Sequence, residues 1–256
     1  MNYLKNEFRK AALSRKTFFA FFISVSCLAI GAYEPMMYGN QIYDFAEIFI
    51  LAQTSGVSSL IAILFPLICC IPYATSYIEE MESGYIYYTY TKLSTKKYII
   101  SKLLVNGVVG GCVIAIPCLM LLGISLVVKG TSLTTESGSM VVYYRELYLQ
   151  TPIVYVLFLI LNSFICGFIF SNLALGFSAF LKNKYLTMIM PFGFYIFSGV
   201  VLSNISIYLN AITLFDVHQY SEQARIGIIL YDIILFLIGG VTFAVGVYRR
   251  KSENER

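Results

Sequence analysis

Long apolar runs separated by short polar stretches organise the whole chain. A helix that crosses a bilayer needs roughly 20 mostly apolar residues, because about 30 Å of hydrocarbon is covered at about 1.5 Å per residue. Six stretches meet that need, approximately Thr17 to Tyr33, Gly56 to Tyr77, Ile99 to Val128, Pro152 to Phe170, Tyr185 to Leu202 and Ile226 to Val247. Only the last carries a charge well inside it, Asp232. The pattern predicts an all-α, polytopic membrane protein: one transmembrane domain over residues 1–256 with six spanning helices. No connecting segment is long enough to fold as a domain of its own.

Composition agrees with this reading and closes off soluble folds. The chain is 58% hydrophobic and 12% charged, against roughly 25% charged in soluble domains. The basic residues then set an orientation. With the amino terminus in the cytosol, every Lys and Arg except Lys129, Arg145 and Arg225 falls on the cytosolic side, and both termini are expected there. The net charge of +4 is therefore a topology signal, and no nucleic-acid partner is expected. There is no tryptophan, so the 21 tyrosines must supply the interfacial anchors. The apolar run after Thr17 lacks a small-x-small cleavage site and is expected to be retained as the first span. The six cysteines lie in apolar stretches without C-x-x-C spacing and read as small buried hydrophobes. With a single histidine, His218, no metal site is expected. No G-x-x-x-x-G-K-[ST] motif occurs, so any ATP would have to be bound by another chain.

Two polar-flanked stretches stand out. Met1–Lys16 reads as an amphipathic interfacial helix, with Leu4, Phe8, Ala11 and Ala12 on one face and Lys5, Arg9 and Lys10 beside them. The cytosolic segment Ile78–Tyr98 reads IEEMESGYIYYTYTKLSTKKY. Ile78, Met81, Tyr85 and Tyr88 share a helical face, and Glu79, Glu80 and Glu82 lie off it near the helix start, where acids complement the dipole. Such a helix suits docking in a groove of a partner, or lying on the membrane surface.

The run Glu79-Glu80-Met-Glu-Ser-Gly84, followed by Tyr90-Thr-Lys-Leu93, Ser94-Thr-Lys-Lys-Tyr98 and Ser101-Lys102, resembles the permease subunits of type-2 ATP-binding cassette (ABC) exporters. In that family an acidic cluster and a glycine follow the second span, and a Ser-Lys opens the third. Glu79, Glu80, Gly84, Lys97, Tyr98 and Lys102 match as they stand; the family's usual proline before the basic pair is replaced by Leu93-Ser94. The resemblance implies an exporter permease in the cytoplasmic (inner) membrane. It implies a separate ABC ATPase that binds ATP and Mg, and a second permease subunit, identical or paralogous. The coupling helix would carry Ile78, Glu79, Glu80, Met81, Glu82, Gly84, Tyr85 and Tyr88 as its ATPase-docking residues. The resemblance also implies short half-membrane helices before the last span, over Ile205–Gln223. Besides the two protein partners, only membrane lipids are expected.

Candidate contacts along a substrate path are Asn106, Asn162, Ser163 and Asn172, although intramembrane amides also bond neighbouring helices. Asp232 is expected to form a structural pair with Arg225, seven residues earlier on the same helical face. An intramembrane protease of the paired-glutamate type would need an arginine where Gly84 stands, and histidines on two further helices. An ion-coupled secondary transporter would need inverted repeats and more intramembrane acids. A non-transporting immunity or sensor subunit would share the docking helix but show no ATP-dependent flux.

Overall fold

The computed structural model describes residues 3–38, 43–131, 141, 143–219 and 225–254, and among them every regular element is helical. A short leading helix, α1 (Tyr3–Ala12), turns at Leu13–Ser14 into α2 (Arg15–Tyr38). Then come α3 (Phe45–Ile50), continued by a π-helical turn over Leu51–Ser55, and α4 (Ile61–Ile68), α5 (Ser76–Glu82) and α6 (Tyr85–Lys92). The long α7 (Thr95–Lys129), short α8 (Arg145–Gln150), α9 (Pro152–Ser178), α10 (Lys184–Val200), α11 (Ile212–Phe215) and α12 (Arg225–Asn254) complete the chain. Among the described residues five helices, α2, α7, α9, α10 and α12, are long and apolar enough to cross a membrane.

The local sequence explains most of the boundaries. Pro152 opens α9 at its first turn, where its missing N–H costs nothing. The Asn183 side chain caps α10 by accepting from the Tyr185 and Leu186 amides at 2.9 and 3.3 Å. Gly130, with φ of 72°, ends α7. In the centre, α9 packs against α7 on one side and α12 on the other. The α7–α9 crossing needs glycine: a Cβ on Gly167 would sit 3.0 Å from the Gly110 carbonyl oxygen. Small residues of this kind allow backbones to approach where hydrophobic burial alone gives helices no reason to associate.

Two expectations from hydropathy need correction. The stretch from Gly56 to Tyr77 is not one helix but α4, a run of turns from Cys69 to Thr75, and the start of α5. Pro66 and Pro72 both lack an N–H, and the vacated Ala62 carbonyl is taken by the Tyr195 hydroxyl at 2.6 Å. Cys70 donates its thiol back to the Pro66 carbonyl at 2.8 Å. The stretch Glu34–Ser55, expected as an outer loop, is largely helical: α2 runs on to Tyr38 and α3 is wholly buried against α7. Its polar start is consumed by a capping box, in which Asp44 accepts from the Ala46 and Glu47 amides while Glu47 accepts from the Asp44 amide.

The segment expected to form half-membrane helices, Ile205–Gln223, folds as short 3-10 turns around α11, and residues 220–224 lie outside the described residues. It packs inward: Phe215 stacks on Phe65 with centroids 4.2 Å apart.

Candidate functional site

The Ser-Lys pair at the start of α7 lies at the centre of a buried charged cluster. Lys102 is completely buried, and its ammonium donates to Glu80 Oε1 at 2.5 Å, Glu7 Oε2 at 2.9 Å and Tyr73 Oη at 2.7 Å. Three donors therefore meet three acceptors. Tyr73 in turn donates its hydroxyl to Glu7, and Tyr98 donates to the second oxygen of Glu80 at 2.7 Å. Lys10 stands 4.0 Å from Glu80 and adds a more exposed positive charge. The cluster joins α1 (Glu7), the turn before α5 (Tyr73), α5 (Glu80) and α7 (Tyr98, Lys102) in one network.

The other two glutamates of α5 reach different helices. Glu79 pairs with Lys16 at the start of α2 and accepts from the Thr75 hydroxyl at 2.7 Å. Burial alone would push the Glu79 carboxyl up, but the Lys16 ammonium and the Thr75 hydroxyl outweigh it and hold its pKa below the usual value. Glu82 pairs with Lys184 at the start of α10, 2.5 Å away and largely in solvent. The acidic cluster thus staples α5 to the first turns of α2, α7 and α10.

The expected continuous docking helix from Ile78 to Tyr90 is instead two helices. Gly84 takes φ of 70°, a left-handed conformation that ends α5 and re-aims the chain into α6. The aromatic stripe divides accordingly: Ile78 is buried and Met81 half-buried, while Tyr85 and Tyr88 are exposed, their rings 6.0 Å apart. Ile86 is the inward anchor of α6, packed in a cluster with Tyr98 and Ile99 of α7, Leu175 of α9 and Phe243 and Val247 of α12. Lys251 near the end of α12 donates to Thr95 at 3.3 Å. One turn of α6 is therefore seated on three long helices, and its opposite face is open.

The polar residues suggested for a substrate path do not converge. Asn106 donates to the Ser171 carbonyl at 2.6 Å and to Asn172 Oδ1 at 3.2 Å, bridging α7 and α9. Asn162 donates to the Leu214 carbonyl at 2.8 Å, and Ser163 accepts from Gln53 at 2.5 Å while donating to its own helix at Leu159. All four are engaged in packing contacts between elements. Asp232 has a carboxyl oxygen with no hydrogen-bond partner among the described residues, and the Arg225 side chain lies outside them.

At the opposite end of the bundle is a second polar cluster. The ring of His218 is buried between the π-helical turn and the stretch after α11. Its Nδ1 lies 2.7 Å from Asp216 Oδ1 and 3.3 Å from Thr54 Oγ1, and its Nε2 lies 2.6 Å from Ser55 Oγ. Tyr143 donates its amide to the His218 carbonyl at 3.2 Å. Beneath it, the Tyr148 hydroxyl donates to Asp44 Oδ2 at 3.0 Å, joining α8 to the α3 cap. Sequence reasoning missed His218 as a joint because the hydroxyls that hold its ring, on Thr54 and Ser55, lie 164 and 163 residues away. It missed Glu7 because a lone acid was absorbed into a basic flank. Among the described residues, no three His, Cys, Asp or Glu side chains are grouped to hold a metal ion.

No protein-family model, curated protein or solved structure matches the chain. What the fold itself defines, among the described residues, is an all-helical arrangement with five helices long and apolar enough to cross a membrane.

Proposed function

We propose that the chain is the membrane-spanning permease subunit of an ABC exporter in the cytoplasmic membrane, with both termini inside. Its ATPase is a separate chain that docks on α6. The observation that carries this reading is the contrast between adjacent helices: α5 is tied by Glu79, Glu80 and Glu82 to three membrane helices, while α6 presents Tyr85, Tyr87 and Tyr88 outward. A partner that grips the tyrosines pushes on Ile86 and, through Gly84, on the glutamate staples. Force applied at one surface is thereby divided among α2, α7, α10 and the cluster of α9 and α12. Two such permeases would form the translocation path between them, and ATP hydrolysis in the partner would bias the inward- and outward-open states.

The test is co-purification in mild detergent. An ABC ATPase should accompany the wild-type chain and be lost from a Tyr85→Ala, Tyr88→Ala double variant. Because both side chains are exposed, that variant should unfold within about 0.5 kcal/mol of wild type. Absence of any ATPase from the wild type in several detergents would overturn the reading. One observation favours the alternative of an ion-coupled transporter, the unpartnered carboxyl oxygen of Asp232 inside α12. Under that alternative Asp232→Asn abolishes flux without any need for ATP. A sensor or immunity subunit would share the docking helix and show no ATP-dependent flux.

A further inference from the structure

One face of α7 is left uncovered along most of the membrane. Lys97, Ser101, Leu104, Val108, Cys112 and Ile116 recur at three- and four-residue steps and line two adjoining cavities, of about 860 and 330 Å3. Phe8 of α1 lines both, so they form one furrow between α7 and the α1–α2 corner. From Lys97 to Ile116 the furrow runs about 28 Å along the helix axis. Below its mouth the walls are apolar, and Leu104 and Ile116 are each 44% exposed.

The mouth is different in kind. Lys5 stands on the α1 wall and Lys97 on the α7 wall, both exposed. At this end of the bundle Lys10, Lys16, Lys102 and Lys184 all have carboxylate partners. Among the described residues Lys5 and Lys97 have none. Two ammonium groups without carboxylate partners, one on each wall at the mouth of an apolar channel, complement a phosphate whose hydrocarbon lies below it. A second copy of the chain is a poorer fit, because it would have to bring acids to the lysines, and the described glutamates at this end, Glu7, Glu79, Glu80, Glu82 and Glu253, already have basic partners.

We propose that this furrow binds one anionic glycerophospholipid, its phosphate between Lys5 and Lys97 and an acyl chain laid along α7 past Leu104. Lys5 is two residues from Glu7, so the lipid also holds α1 where Glu7 can reach Lys102. This inference does not depend on the transport reading.

The full chain would be reconstituted in nanodiscs of equal parts phosphatidylcholine and phosphatidylglycerol, released into mild detergent and weighed by native mass spectrometry. Wild type should retain phosphatidylglycerol selectively. A Lys5→Gln, Lys97→Gln double variant should lose roughly thirty-fold in that preference while still retaining zwitterionic lipid. Leu104→Trp, which fills the channel, should retain neither. Unfolding curves in phosphatidylcholine alone establish that each variant is folded. Retention of both lipids in the supplied ratio by wild type, or an unchanged preference in the double variant, would overturn the proposal. So would a dimer mass without lipid that Leu104→Trp reduces to the monomer, which would assign the furrow to a second copy.

Discussion

The Lys102 cluster and the His218 cluster occupy opposite ends of the bundle, and both bury polar atoms between elements distant in sequence. They differ in what is buried. Around Lys102 one ammonium and two carboxylates have been taken out of water, and each is stable only while the others are present. Around His218 an imidazole is held by two hydroxyls, with one carboxylate beside it. Charge makes the first joint unforgiving; hydrogen bonding makes the second adjustable. Under the exporter reading proposed above, the first end would transmit force and the second would stay closed.

The largest effect should come from Lys102→Met, which leaves Glu7 and Glu80 buried without their ammonium. A loss of about 3–5 kcal/mol is expected, enough to keep the protein from accumulating in the membrane. Adding Glu7→Gln and Glu80→Gln to that variant should restore accumulation, because a neutral replacement of the whole set carries no stranded charge. Failure of the triple variant to recover would mean that the cluster is held by geometry more than by charge. His218→Ala should cost less, about 2 kcal/mol in thermal unfolding, by taking away the ring nitrogens that the Ser55 and Thr54 hydroxyls bond. An equal or larger loss there would erase the contrast between the ends.

The smallest effect concerns Glu79, on the rim of the charged end. Its folded pKa is depressed, so its contribution is present above the unfolded value of 4.5 and disappears as pH falls through the folded one. Glu79→Gln should therefore unfold slightly earlier than wild type at pH 7, and the two should converge on acidification below that range. A difference that persists in acid would remove the electrostatic account.

How much of this the sequence disclosed depended on whether the signal was local. Hydropathy reads a run of apolar residues, and α2, α7, α9, α10 and α12 are such runs. It could not see that Pro66 and Pro72 divide the stretch from Gly56 to Tyr77, because the repair of the Ala62 carbonyl comes from Tyr195, 133 residues away. Asp44 and Glu47 looked like loop polarity, yet they serve a helix cap and leave α3 free to be buried. The acidic cluster was found from its motif, but the motif does not say that Glu80 turns inward to Lys102 while Glu79 and Glu82 reach lysines at the rim. Gly84 was recognised by its position and not by its left-handed backbone, so two helices were read as one. The suggested path residues bond neighbouring elements, and the sequence is silent on this for a related reason: an amide in a span announces a partner without saying whether it is a ligand or the next helix.

The Lys102 cluster also imposes an order on biogenesis. Glu7 emerges from the ribosome 95 residues before Lys102, and Glu80 22 residues before it. Until α7 arrives, α1 and α5 each hold an acid that must remain in contact with water, so neither can settle under the membrane surface. The arrival of one lysine releases both at once. A quality-control protease that surveys this end of the bundle would find the Glu7 carboxylate in water in every chain halted before that point and buried in every chain that has passed it.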